Sequence, residues 1–155
     1  MKIGLGYDIH RLAKGNGFIL GGVKIKSNKK VIAHSDGDVL CHAIADAILG
    51  AANSGDIGKH FSNKNPIYKN ISSLILLEEV LKIIKKKKFR ILNVDSTIIL
   101  QEPKIGSYSE LMSKNIAKAL KIKPNQVSIK ATTNEMLDAI GNKKGISAFS
   151  IALLK

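Results

Sequence analysis

An aspartate and a histidine two positions apart, Asp8 and His10, open the chain's inventory of chemistry-bearing residues, and a second histidine, His42, follows. On a strand, residues two apart project to the same side, so Asp8 and His10 can converge on one point. Two imidazoles and a carboxylate make a donor set for zinc, and three protein ligands leave a fourth position open to a substrate. Taken alone, Asp-x-His is a weak motif. A surface Asp-His pair and a helix histidine that never meet would read identically.

Three more stretches carry concentrated polar chemistry. His34-Ser35-Asp36-Gly37-Asp38 immediately precedes a helical pattern, and a helix start offers backbone N–H groups and a positive dipole end to phosphate. His34 and Ser35 add side-chain donors, while Ser35 or Asp36 equally suits an ordinary cap of the first turn. Asp56-Ile57-Gly58 lies in a polar loop, where an aspartate can hold sugar hydroxyls and a glycine permits close approach; a plain turn is the simpler local reading. Ala131-Thr132-Thr133-Asn134-Glu135 closes a strand pattern. It suits phosphate contacts from the threonines and a second cation at Glu135, or simply a polar strand end.

These groups need elements to position them. Ile3, Leu5, Tyr7 and Ile9 alternate with Gly4, Gly6, Asp8 and His10, which predicts a strand with an apolar side and a glycine-lined side carrying the candidate ligands. A second strand is expected from Phe18 to Ile25, with a bulge or close backbone approach at Gly21-Gly22, and a polar loop from Ser27 to Lys30. From Asp38 to about Ala52 the pattern is helical. Val39, Leu40, Ala43, Ile44, Ala47 and Ile48 form its apolar face, and Asp38, His42 and Asp46 lie on another. Asn53 to Asn70 reads as a long loop. Ser72 to Lys88 reads as an amphipathic helix whose terminal lysines suit the dipole.

Val94 to Leu100 is a β-branched strand, and Gln101 to Gly106 is a loop. Ser107 with Glu110 predicts a capping-box start for a helix to about Leu120. Val127 to Thr132 and Ser147 to Leu154 are strands, with a loop or short turn over residues 133 to 146. The interleaving predicts one α/β (α+β) domain over residues 1–155, a β-sheet with helices packed on one face.

Composition narrows the function classes. At 155 residues, with 45% apolar content, the chain can bury one proper core. It has neither a signal-like apolar start nor a run of about 18 apolar residues, so no membrane partner is expected. The single cysteine, Cys41, excludes an internal disulfide and suits a reducing cytoplasm. Net charge is +13, with 25 Lys plus Arg against 12 Asp plus Glu. A polyanion such as nucleic acid is one reading. The basic residues are dispersed, however, and aromatic platforms for bases are scarce, which favours a general lysine bias compatible with small phosphate-bearing molecules.

Taken in order, Gly-Leu-Gly-Tyr-Asp-Ile-His at 4–10, Ala-His-Ser-Asp-Gly-Asp-Val-Leu-Cys-His-Ala at 33–43, Gly-Asp-Ile-Gly-Lys-His-Phe at 55–61 and Lys-Ala-Thr-Thr-Asn-Glu at 130–135 form a set. The set resembles the motifs of the methylerythritol cyclodiphosphate synthases, across essentially the whole chain. That resemblance implies a phosphorus–oxygen lyase of isoprenoid precursor synthesis. Such an enzyme takes 4-diphosphocytidyl-2-C-methyl-D-erythritol 2-phosphate to the 2,4-cyclodiphosphate with release of CMP. It implies zinc on Asp8, His10 and His42, and magnesium or manganese at Glu135. His34 and Ser35 would hold phosphate, with His34 and Thr133 stabilising the transition state.

The same resemblance assigns the methylerythritol part to Asp56, Ile57 and Gly58 and to the loop Phe61, Ser62, Asn63, Lys64 and Asn65. Leu100, Gln101, Glu102, Pro103, Lys104, Ile105 and Gly106 would come from a neighbouring subunit. With Ala131, Thr132, Thr133, Asn134 and Glu135 they would bind the cytidine end, in a homotrimer whose active sites lie at the subunit interfaces. The chain departs from the family pattern at Asn63 and Asn65, where many relatives carry aspartate. It departs again at Ala139 and Asn142, where relatives often carry Phe and Arg as substrate contacts. Ala139 supplies no aromatic wall and Asn142 no bidentate phosphate grip; Lys143 and Lys144 are candidates to replace some of that charge. Two rival functions share parts of the pattern: a zinc phosphohydrolase on the same scaffold, and a basic nucleic-acid-binding module, which leaves Asp8, His10 and His42 without a purpose.

Overall fold

Glycines alternating with large apolar residues decide how the first strand packs. The computed structural model describes residues 1–62, 68 and 71–155. In it, β1 (Lys2–Lys14) lays its glycine side directly against α1 (Val39–Ala51). A Cβ added at Gly4 would stand 2.1 Å from the Ala47 carbonyl oxygen, and one at Gly6 only 2.0 Å from that of Ala43. No side chain fits at either position. The small residues Ala43, Ala47 and Ala51 complete the close approach from the helix.

β1 pairs antiparallel with β7 (Gly145–Leu154), from Lys2 opposite Leu154 to Arg11 opposite Gly145. Its other edge pairs with β4 (Lys29–Ile32). β5 (Ile91–Ile99) runs antiparallel to β7 and parallel to β6 (Val127–Thr132), giving a mixed sheet of order β4-β1-β7-β5-β6. α3 (Ser73–Lys86) packs on α1, and α4 (Ser109–Leu120) packs on α3 and β6. Leu40, Ile44, Leu77, Ile98, Met112 and Ile116 are fully buried between these layers. The expected α+β sheet with its helices on one face is the observed architecture.

Several local expectations are corrected. Gly21-Gly22 is no bulge: with φ of 56° and 70° it forms the two-residue turn of a hairpin between β2 (Phe18–Leu20) and β3 (Val23–Ile25). Both central residues of such a turn need positive φ, which glycine adopts without penalty. The polar loop at Ser27 to Lys30 instead runs into the edge strand β4. The long loop contains α2 (Ile57–His60), and the stretch after β6 contains α5 (Asp138–Gly141). α4 has no capping box. A 3₁₀ turn over Gly106–Tyr108 leads straight into it, so Tyr108 is already helical and no extended cap position exists. Ser109 donates to the Gly106 carbonyl at 2.8 Å and Glu110 pairs with Lys114 at 2.6 Å.

Lys87 reaches beyond its own helix, donating to the carbonyls of Ala52 (3.1 Å) and Asn53 (2.8 Å) at the C-terminal end of α1. No helix among the described residues is long and apolar enough to cross a membrane.

No described residue covers the side of β1 and β7 away from the helices. Leu5 opposite Ile151 and Tyr7 opposite Phe149 form an apolar strip, Leu5 being 65% exposed. The Tyr7 and Phe149 rings lie 4.6 Å apart.

Candidate active site

α1 crosses β1 so closely that His42, one turn into the helix, meets the two polar residues of the strand's glycine side. Asp8 Oδ2 lies 2.9 Å from His42 Nδ1 and 3.2 Å from His10 Nε2, and the two ring nitrogens are 3.2 Å apart. Ligand atoms of a tetrahedral zinc with bonds of about 2.0 Å stand about 3.3 Å from one another. The triangle therefore already has the dimensions of three zinc ligands. The donor types agree as well, two imidazoles and a carboxylate. Among the described residues this is the only such cluster. The second oxygen of Asp8 accepts from the Ile9 N–H at 2.9 Å, which fixes the carboxylate's orientation.

The electrostatics are those of two imidazoles sharing one carboxylate. Burial lowers the pKa of His10, with the His42 charge adding to the effect against the pull of Asp8. Burial works in the same direction on His42. There the Asp8 hydrogen bond and the charges of Asp8, Asp38 and Asp36 outweigh it, and the net shift is upward.

The triangle opens into a cavity of about 310 Å³ lined also by His34, Ser35, Ile57, Gly58 and Phe61, with Ala33, Tyr68, Ile71 and Leu76 as its apolar wall. His34 is exposed and Ser35 half-buried. Neither Ser35 nor Asp36 caps α1. Asp38, fully buried, does so: one oxygen accepts from Cys41 N–H at 3.1 Å and Gly21 N–H at 2.9 Å, the other from Gly22 N–H at 2.8 Å. A buried carboxylate thus occupies the helix start, and His34 and Ser35 are the donors that open on the cavity. Asp56 caps α2 by accepting from Lys59 N–H at 3.0 Å, and so presents Ile57 and Gly58 to the cavity.

Two residues of this assembly escaped the sequence reading. Asp46 accepts from Ile57 N–H at 2.8 Å and ties α2 to α1; its place on the His42 face of the helix was the available signal. Ser73, fully buried at the start of α3, stands 3.0 Å from His42 Nε2 and donates to Asp36 Oδ1 at 2.5 Å. Its N–H bonds to the other Asp36 oxygen at 2.8 Å, so Asp36 caps α3 rather than α1. No spacing in the sequence links these positions.

The remaining candidates gather elsewhere. Leu100, Gln101, Pro103, Lys104, Ile105 and Gly106 line a second cavity of about 500 Å³ with Ser107, Ala131, Thr132 and Thr133. It shares no residue with the first and lies at the β5–β6 edge, three strands from β1, or about 14 Å along the sheet. Thr133 Oγ1 donates to Glu135 at 2.7 Å, and Asn134 bonds to Asp138 at 2.7 Å. Glu135 is exposed and joins no cluster of candidate ligands among the described residues. Glu102 pairs with Lys143 at 2.8 Å, so that lysine's charge is already engaged. Ala139 is exposed on α5, and Asn142 donates to the Asp138 carbonyl at 2.6 Å. Ser62 is exposed; Asn63, Lys64 and Asn65 lie outside the described residues.

A sequence profile of the YgbB family matches residues 1–155. The chain belongs to the YgbB family. Among relatives of YgbB proteins, a Clostridium botulinum protein named 2-C-methyl-D-erythritol 2,4-cyclodiphosphate synthase is 52% identical over 154 residues, covering 99% of each chain. The bifunctional IspDF of Campylobacter jejuni superposes with a TM-score of 0.95 at 37% identity, covering 99% of this chain and 42% of that one. A CDP complex of Plasmodium falciparum IspF superposes with a TM-score of 0.86 at 44% identity, covering 99% of this chain and 94% of that one. The motifs quoted from the sequence are thus those of a YgbB protein.

Proposed function

We infer that the protein converts 4-diphosphocytidyl-2-C-methyl-D-erythritol 2-phosphate into 2-C-methyl-D-erythritol 2,4-cyclodiphosphate and CMP, as a phosphorus–oxygen lyase of isoprenoid precursor synthesis. The observation that carries this reading is the Asp8, His10 and His42 triangle opening into a cavity lined by His34, Ser35, Ile57 and Gly58. An oxygen of the substrate's 2-phosphate attacks the β-phosphorus. The new P–O bond closes the cyclic diphosphate while the bond to the bridging oxygen breaks, and CMP leaves with that oxygen. No protein nucleophile takes part. Cys41 is buried, and burial together with the Asp38 carboxylate pushes its thiol pKa well up.

The task left to the chain is to hold a flexible, highly charged molecule with its two phosphates in line. Zinc at the triangle and magnesium or manganese at Glu135 would supply charge neutralisation and polarise the phosphorus under attack. His34 and Ser35 donate to phosphate oxygens at the cavity mouth. Gly58 admits the sugar chain without a side-chain clash, and Asp56 accepts from its hydroxyls. Thr133 donates to the phosphate as charge builds, and Lys104 with its loop receives the cytidine end.

The assembly is a homotrimer in which one subunit's Leu100–Gly106 and Thr132–Glu135 regions complete another's metal site. Two features support it. The two cavities share no residue within a chain, and the apolar strip of β1 and β7 has the character of a buried interface. Leu5→Asp is expected to yield a monomer by mass measurement that still binds one zinc but turns over no substrate. The function is tested by following CMP and cyclic product together with metal-loaded protein. Equal yields of both are expected; CMP accompanied by a linear hydrolysed product would overturn the reading.

A further inference from the structure

We propose that Asp36 and Ser73 form a relay that sets the tautomer of His42, and so act as positioning residues for the metal triangle. The proposal rests on the metal reading above. For His42 Nδ1 to offer its lone pair beside Asp8 and His10, its ring proton must sit on Nε2. That nitrogen points away from the triangle, toward Ser73 Oγ at 3.0 Å and Ser35 Oγ at 3.2 Å. A hydroxyl both donates and accepts, so it can satisfy either tautomer until its own proton is committed. Asp36 commits it. An ionised carboxylate only accepts, and Ser73 Oγ–H points at Asp36 Oδ1 over 2.5 Å. The lone pairs of Ser73 are then what remain for His42, and they can be satisfied only by Nε2–H.

The geometry leaves this relay little freedom. Ser73 is fully buried, so no water replaces its hydroxyl. Its backbone N–H is held by the second Asp36 oxygen at 2.8 Å, while Asp36 Oδ1 also accepts from Asp38 N–H at 3.2 Å. The carboxylate is therefore clamped between the loop that carries His34 and Ser35 and the start of α3. Ser35 is no substitute: half-buried at the cavity, its oxygen receives Gly37 N–H at 3.3 Å, and no carboxylate fixes its proton. Groups that hold the far nitrogen of a ligating histidine typically contribute 10–100-fold in metal affinity.

The test uses the full-length protein and three variants, Ser73→Ala, Ser73→Thr and Asp36→Asn. Zinc affinity is read by chelator competition, and the His42 tautomer by ¹⁵N NMR of the metal-free protein. Ser73→Ala keeps the backbone bond that caps α3, and its fold is checked by circular dichroism. We expect Nε2 of wild-type His42 to carry a proton, whether or not Nδ1 also carries one toward Asp8. Ser73→Ala should lose this preference and bind zinc about 10–100-fold more weakly. Ser73→Thr, which keeps the hydroxyl, should recover most of the affinity, and Asp36→Asn should fall between. Wild-type affinity and an unchanged tautomer in Ser73→Ala would overturn the relay while leaving the zinc site intact. Absence of zinc binding by the wild-type protein would overturn the metal reading itself.

Discussion

The Asp8 cavity and the Leu100–Thr133 cavity open at the same end of one sheet, since Ile9, Ser147, Ile99 and Thr132 lie in register across it. They are built differently. Around the first, polar groups from β1, α1, α3 and the His34–Asp38 loop hold one another, with Asp38 and Ser73 fully buried and His42 nearly so. Around the second, the polar side chains are largely exposed, and their bonds, Thr133 to Glu135, Met136 N–H to Gln101 Oε1 and Glu102 to Lys143, join residues none of which is buried. The first is preorganised by buried contacts within its own chain. The second has the open character of an exposed surface.

That contrast can be broken or sharpened by substitution. The largest effect is expected from His42→Ala, which removes one corner of the triangle. Bound zinc, measured by elemental analysis, should disappear, and turnover should fall by at least about a thousandfold, near 4 kcal/mol. Gly6→Ala attacks the same region through its scaffold. A methyl group 2.0 Å from a helix carbonyl forces α1 off the strand, and urea unfolding should show a loss of about 3 kcal/mol, with zinc affinity falling in parallel.

Thr133→Ala probes the open region. If Thr133 is the transition-state donor proposed above, its loss should lower kcat/KM about a hundredfold while zinc content stays at the wild-type level. Co-expressed with His42→Ala, it should regain about a quarter of wild-type activity under the proposed trimer, because mixed assemblies would rebuild some sites from intact halves. Mixed assemblies as inactive as their parents would mean that each site is made from one chain.

The smallest effect concerns Asp46. Burial, helped by the Asp56 and Asp8 charges and opposed by the Ile57 N–H bond, raises its carboxyl pKa. A raised folded pKa contributes stability that is present below the unfolded value and lost as pH climbs through the folded one. At pH 7 the ionised group is therefore a cost. Asp46→Asn keeps an acceptor for Ile57 N–H and should stabilise metal-stripped protein at pH 7. The gain should stay below about 1 kcal/mol because the group is half-exposed and screened. It should vanish below the ordinary value of 3.8, as thermal melts at the two pH values would reveal.

What the sequence discloses and what it hides divide along the range of the interactions. The alternation over residues 3 to 10 specifies β1 and both its faces, and the helical pattern after Asp38 brings His42 to the glycine side, so the triangle was legible. The direction in which the apolar side of β1 faces was not, because alternation says only that two faces differ. Here the glycine side faces the helices, since only it lets α1 approach, and the apolar side is left to solvent or a partner. The capping of α1 by Asp38 instead of Ser35 or Asp36 depends on the Gly21-Gly22 turn being folded against it. Ser73 reaches His42 only once α3 has packed on α1. The capping box expected at Ser107 failed for a local reason, the 3₁₀ turn that already winds the chain before α4.

The pairing of residues 2–11 with residues 145–154 also sets a timetable for synthesis. Asp8, His10 and His42 are all made within the first third of the chain, but β7, which pins β1 in place, is made last. At about 5–20 residues per second, roughly 5–20 s separate translation of His42 from that of Gly145. Through that interval the nascent chain displays two imidazoles, a carboxylate and the Cys41 thiol with no sheet to hold them. The geometry with which the triangle could select a cation thus exists only in the finished protein, and a metal captured earlier would meet an unformed site.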